Sequence, residues 1–342
     1  MNCKQFESKL KFLLNEIESN FHQEEPLRGS PDWGESKSWF YKDLEVRFRV
    51  TGEESHTPIV LIHGFGASSD HWRNNAEIFA SEGFRIYGID LIGFGRSEQN
   101  LKGKIKYLNN QIWANQLASF LEEIVDIKRN GKAILIGNSL GALTAITTLS
   151  QRPDLIKTII AAPLPEPIIV NPIRTLIPNW IGKFQSFLIK LFFKLLPLKP
   201  LVNLISRTKL ITFALQSAYF RSILNDKFLK RIVAVPARRA NASEALRSMC
   251  IGMSNRKNSE EGPSIIEKIE KLPNRPPILL IWGEKDKLIP VFLAKKLIKL
   301  HPWLKLTVIE NAGHCLHDEV PQLFNQIVLK WLKNLKTSKK PI

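Results

Sequence analysis

Gly137-Asn138-Ser139-Leu140-Gly141 decides the reading of this 342-residue chain. It follows an apolar run, Ala133-Ile134-Leu135-Ile136, and precedes the helix-forming Ala142-Leu143-Thr144-Ala145-Ile146. Strand, Gly-x-Ser-x-Gly turn, then helix is the context that carries a serine hydroxyl clear of a sheet edge. The glycines suit a tight turn whose chain packs against its neighbours, where side chains would clash. The same turn sets backbone N–H groups at a helix start, facing outward toward any developing negative oxygen. A plain strand-to-helix turn with a capping serine would use the same five residues. An acid and a histidine further on separate the two readings.

Both are present. Pro277-Ile278-Leu279-Leu280-Ile281-Trp282 reads as a buried strand with Gly283-Glu284-Lys285-Asp286 at its end. Leu304-Lys305-Leu306-Thr307-Val308-Ile309 reads as the next strand, followed by Asn311-Ala312-Gly313-His314. Ser139, Asp286 and His314 all fall just past the C-terminal ends of predicted strands, the side of an open parallel sheet that lines a ligand crevice. Their order, Ser then Asp then His, is the order this architecture uses.

With these residues in place the chain resembles the α/β-hydrolase fold superfamily over about residues 40–335, around a divergent central insert. The pieces that carry the resemblance are His63-Gly64-Phe65-Gly66, Asp90-Leu91-Ile92-Gly93-Phe94-Gly95-Arg96-Ser97, the Ser139 turn, Gly283-Glu284-Lys285-Asp286 with Pro290, and Gly313-His314 with Glu319 and Pro321. The resemblance implies an α/β fold with a mostly parallel central sheet flanked by helices and an inserted helical cap. It implies Ser139 as nucleophile, His314 as base and Asp286 as the acid that orients it. The backbone N–H groups of Phe65 and Leu140 would form the oxyanion hole, and no metal or cofactor would be needed. His63 would orient the glycine loop rather than act as base, and Asp90, which precedes the Ser139 strand, would be a structural loop residue. Trp72 and Asn138 are candidate substrate contacts, although Trp72 is equally suited to packing. The Asn138 variant of the turn, with His63–Ser68 and Trp72-Arg73, is also similar to the chlorophyll dephytylase and pheophytinase neighbourhood, which would imply removal of a long isoprenoid alcohol from an ester. Haloalkane dehalogenases and epoxide hydrolases, similar in general sequence, carry aspartate where Ser139 stands, so esters, thioesters, lactones or amides are the expected substrates. A non-catalytic ligand-binding relative and an acyltransferase on the same triad remain alternatives.

Composition bounds the rest. A hydrophobic fraction of 44% suits a globular core. Three cysteines, Cys3, Cys250 and Cys315, make no disulfide framework, which suits a reducing compartment. Cys315, beside His314, reads as a small packing residue. Gly93 and Gly95 are not followed by a third glycine, since Glu98 stands at that offset, so dinucleotide binding is not expected. No run of 18 apolar residues occurs, and Glu7, Glu16 and Glu18 interrupt the N-terminal stretch. Neither a spanning helix nor a signal peptide is expected, which leaves a cytoplasmic protein with possible peripheral membrane contact.

The expected organisation is an N-terminal helix and linker over 1–37, a core over 38–162 and 273–336, a cap over 163–272 and a frayed tail from 337. The net charge is +17. Between Ile168 and Ser259 sixteen Lys and Arg face only Asp226 and Glu244, so +14 of that charge lies in the insert. Within it, Ile177–Leu195 places Ile177, Trp180, Phe184, Phe187, Leu191 and Leu195 on one broad helical face and Lys183, Lys190 and Lys194 on the other. That is the pattern of a basic amphipathic helix at an anionic membrane interface. It equally suits an ordinary cap helix over a pocket. Either way a lipophilic small-molecule ester is the expected substrate. No recognition motif accompanies the charge, so nucleic acid is not expected.

Overall fold

The computed structural model describes residues 32–166, 190–254 and 264–337. Its strands are β1 (Glu35–Tyr41), β2 (Leu44–Thr51), β3 (Thr57–Ile62), β4 (Phe84–Ile89), β5 (Ala133–Gly137), β6 (Ile156–Ala161), β7 (Ile278–Gly283) and β8 (Lys305–Ile309). They form one sheet in the order β1-β2-β4-β3-β5-β6-β7-β8. β1 and β2 pair antiparallel, as do β2 and β4, and every later pair is parallel. A parallel sheet needs both faces covered, and the strand sequences provide for this. Val60 and Ile62 enter one apolar cluster, while Ile59 and Leu61 enter the other on the opposite face. Leu135 and Ile136 divide in the same way, as the two-residue period of a strand requires. Each such fully buried side chain stabilises the fold by about 1.5–3 kcal/mol.

The helices are α1 (Ala76–Ser81), α2 (Asn110–Glu123), α3 (Ile127–Asn130), α4 (Leu140–Gln151), α5 (Leu198–Arg207), α6 (Leu210–Gln216), α7 (Lys227–Ala237), α8 (Ala242–Ser254), α9 (Ile265–Glu270), α10 (Val291–Leu300), α11 (Leu316–Glu319) and α12 (Pro321–Thr337). Residues 190–195 are also helical. Trp113, Leu117 and Phe120 of α2 join Leu143 and Ile146 of α4 on the Val60 face, and Phe324 and Val328 of α12 join Phe79 of α1 on the other. Asn109 caps α2 through a bond from the Ile112 N–H.

Two expected boundaries differ. The first strand begins at Glu35, so the division at residue 37 cuts through β1. Helix α9 was expected in the insert, yet its Ile266 and Ile269 are wholly buried in the main core cluster. The apolar i, i+3 pair faces the sheet-covering layer, and the helix belongs with the core. The N-terminal helix over 1–25, most of Ile177–Leu195 and the end of the chain lie outside the described residues.

Candidate active site

The Ser139 turn is as tight as its glycines suggest. Ser139 sits at φ 51°, ψ −112°, a conformation that costs a non-glycine residue on the order of 1–3 kcal/mol and persists only where the surroundings enforce it. A Cβ on Gly137 would lie 2.5 Å from the Ala142 nitrogen, and one on Gly141 would run into the Ile62 carbonyl oxygen. The turn is tied down by bonds from the Ser139 N–H to Pro163 O (3.1 Å) and from the Asn138 N–H to Ile62 O (3.0 Å).

Asp286 follows β7 and is buried. Its Oδ1 accepts from the Leu288 and Ile289 N–H groups at 2.9 Å each, and its Oδ2 lies 2.9 Å from His314 Nδ1. One carboxylate oxygen is thus fixed by the backbone and the other holds the imidazole, so that Nδ1 donates and Nε2 keeps its lone pair. The His314 loop is also anchored to the Ser139 turn, because Asn138 Nδ2 donates to the carbonyls of Ala162 (2.7 Å) and His314 (3.2 Å). Asn138 is buried and its amide nitrogen is taken by these two bonds, so it braces the histidine loop against the Ser139 turn.

Trp72 is corrected more sharply. It is wholly buried, with its ring 4.2 Å from that of His317 and 6.2 Å from that of Phe324. It packs in the core and lines no crevice. Phe65, by contrast, is 61% exposed at the end of β3, and Leu140 opens α4. Among the described residues neither backbone N–H has a hydrogen-bond partner. His63 Nδ1 donates to Gly64 O at 2.7 Å and Nε2 accepts from the Leu91 N–H at 3.0 Å. Burial lowers its pKa, so it is a neutral brace for the Phe65 loop. Asp90 accepts from the Ser69 and Arg96 N–H groups at 2.7 and 2.8 Å and from Arg47 at 3.4 Å. Burial alone would raise its pKa, but Arg47 and these donors hold it below the usual range. Cys315 packs against Tyr219 and Ile223, and burial pushes its thiol well up, so it is no nucleophile.

Sequence reasoning missed how the helical segment grips the histidine loop. The His314 N–H donates to Ala218 O at 2.9 Å. Glu319 accepts from the Gly313 N–H at 2.5 Å and from the Arg221 N–H, and burial raises its pKa. A Cβ on Gly283 would strike Gly313 O, and one on Gly313 would come within 2.7 Å of Phe220 N. Nearby, Arg73 is fully buried between Asp318 (Nε–Oδ1 2.9 Å) and Asp226 (Nη2–Oδ2 2.5 Å). Tyr219 Oη donates to Asp318 Oδ2 at 3.0 Å, and His71 Nε2 lies 2.8 Å from that hydroxyl. Burial would raise Asp318, yet the neighbouring His71, 3.7 Å away, and the charge of Arg73 carry it well below the carboxylate range. Asp226 caps α7 through the Leu229 N–H, so Arg73 joins the helical segment to the core. A separation of 153 residues leaves no local sequence signal for such a contact.

A cavity of about 410 Å³ lies between the loops at Phe65 and Gly93–Gly95 and helices α5 to α8. Among the described residues no charged side chain lines it, and the polar side chains that do are Gln99, Ser206 and Ser217. Ser217 Oγ donates to Ala214 O (2.7 Å) and Ser206 Oγ to Asn203 O (3.4 Å). Gln99 Nε2 donates to Pro236 O at 3.3 Å, and its Oε1, buried, has no partner among the described residues.

The comparisons agree with this fold. The profile of the alpha/beta hydrolase fold family matches residues 57–321. A 2-hydroxy-6-oxononadienedioate/2-hydroxy-6-oxononatrienedioate hydrolase of Burkholderia vietnamiensis (strain G4 / LMG 22486) is 24% identical, over 85% of this chain and 92% of its own. The chloroplastic pheophytinase of Arabidopsis thaliana is 26% identical, over 86% of this chain and 65% of its own. Among solved structures, a serine hydrolase involved in carbazole degradation superposes with a TM-score of 0.64 at 20% identity, over 87% of this chain and 99% of that one. The sheet order, the Ser139 turn and a profile match spanning most of the chain lead to one statement: the protein belongs to the alpha/beta hydrolase fold family.

Proposed function

We propose that the protein is a serine hydrolase that cleaves a carboxylic ester of a lipophilic substrate. The observation that carries this is the coupling of a strained, glycine-hedged Ser139 to a loop whose His314 is held at Nδ1 by Asp286 at 2.9 Å. In this reading Ser139 Oγ attacks the ester carbonyl while His314 Nε2 takes its proton and then returns it to the leaving alcohol. Asp286 keeps the imidazole in the productive tautomer and stabilises the imidazolium. The Phe65 and Leu140 N–H groups receive the oxyanion, each worth about 10²–10³ in rate because the charge appears only in the transition state. Water then cleaves the acyl-enzyme by the same proton route.

The cavity supports a lipophilic chain. A dioate such as the one named for the Burkholderia relative carries two carboxylates, and burying them without a cation is costly; among the described residues no charged side chain lines this cavity. A long alkyl or isoprenoid chain meets no such cost. Labelling by a fluorophosphonate probe, read by intact mass on wild type and Ser139→Ala, tests the assignment. Wild-type labelling that disappears in Ser139→Ala is expected. Equal labelling of both proteins, or none of either with detergent present, would refute it.

A further inference from the structure

The helices over the cavity are apolar on both sides. Val202 and Ile205 of α5 line the cavity, while Leu201 and Leu204 of the same helix point outward, Leu204 at 53% exposure. Helix α6 repeats this, with Ile211 inward and Phe213 half exposed outward. The helical stretch just before them exposes Phe192 and Leu195 at 58% and 73%. Half of the large apolar side chains exposed among the described residues fall within 190–254. A water-facing roof gains nothing from such side chains, and clusters of this kind mark a contact surface.

The charge around them selects the occupant. Residues 190–254 contain twelve Lys and Arg and only two acids, Asp226 and Glu244. Asp226 is buried on Arg73, and Glu244 lies 4.0 Å from Lys102. Lys194, Lys199, Arg207 and Lys209 flank the exposed leucines and phenylalanines and have no acidic partner among the described residues. Nucleic acid would use the cations and leave the aliphatic side chains idle. An anionic bilayer uses both, since headgroups attract the cations and acyl chains accept Leu and Phe.

We propose that the outward face of residues 190–213 docks on an anionic lipid surface, which sets the apolar cavity directly beneath a source of lipophilic substrate. This contact does not depend on the ester chemistry and can be measured without turnover.

The test is co-sedimentation of the full chain with phosphatidylcholine vesicles, with and without phosphatidylserine. Binding is expected only with phosphatidylserine, and it should weaken with salt. Each of Lys194→Gln, Lys199→Gln, Arg207→Gln and Lys209→Gln should lower partitioning by about fivefold. Leu201→Ser with Leu204→Ser should lower it while leaving the salt dependence unchanged. Circular dichroism and turnover of a short soluble ester, unchanged in all variants, would show that the fold survives. No vesicle binding, equal binding to both vesicle types, or undiminished binding when these four substitutions are combined in one chain would each overturn the proposal. Retention on duplex DNA without vesicle binding would reassign the surface to nucleic acid.

Discussion

Replacing Arg73 by methionine removes a wholly buried guanidinium from between Asp318 and Asp226. Methionine fills a similar volume, so the cavity contribution stays small. The loss is electrostatic: the buried carboxylates of Asp318 and Asp226 each lose the guanidinium that faces them. Removing one partner of a buried pair costs about 3–5 kcal/mol, and that is the expected loss at neutral pH. The effect has a pH signature. Arg73 helps hold Asp318 well below the ordinary carboxylate value, so its contribution is complete above about pH 4 and fades as pH falls through the folded-state value. In Arg73→Met burial drives the Asp318 carboxyl the other way, it protonates earlier, and the gap to wild type narrows on acidification. Urea unfolding followed by tryptophan fluorescence at neutral pH and near the carboxylate range measures both quantities. Adding Asp226→Asn and Asp318→Asn should restore much of the loss. A loss below about 1 kcal/mol at neutral pH, or one that does not change with pH, would refute the view that this cluster binds the helical segment to the core.

Asp286→Asn should leave stability nearly intact and lower kcat by about 10⁴-fold, because the amide favours the wrong imidazole tautomer; steady-state kinetics on a chromogenic ester measures it. His317 is buried with both ring nitrogens unpartnered among the described residues, and burial, with His71 next, lowers its pKa well below 6.5. The unfolded chain therefore binds a proton that the fold refuses, and stability should drop as pH falls below about 6.5, by up to about 1.4 kcal/mol per pH unit. His317→Phe, stacked against Trp72 and Phe324, should flatten that slope in thermal unfolding. Gln99→Leu removes a polar side chain from the cavity lining, so it should favour purely alkyl esters over hydroxylated ones by about tenfold in kcat/KM, near one hydrogen bond's worth.

Much of this could be read locally. Alternating burial in Ile59-Val60-Leu61-Ile62 follows from a two-residue period, and β7 and β8 lie within a residue of the expected runs. The Ser139 turn was legible because a tight turn needs particular residues, and Gly137 and Gly141 have no room for a Cβ. Trp72 was not, since an aromatic beside a glycine loop reads the same whether it faces a pocket or a core. The helix α9 boundary failed for a related reason: an isolated Ile265-Ile266-x-x-Ile269 pattern says that one face is buried and not which layer buries it.

The sequence by itself determined the strand and helix alternation, the Ser139, Asp286 and His314 positions at strand ends, and the concentration of positive charge in one segment. These depend on residue type and spacing along the chain. Only the tertiary structure decided that Asn138 braces His314, that Glu319 and Arg73 fasten the helical segment to the core, and that Leu201 and Leu204 face outward above an uncharged cavity. Those outcomes join residues up to 176 positions apart, where no local pattern carries the information and only burial and hydrogen-bond satisfaction select the partner.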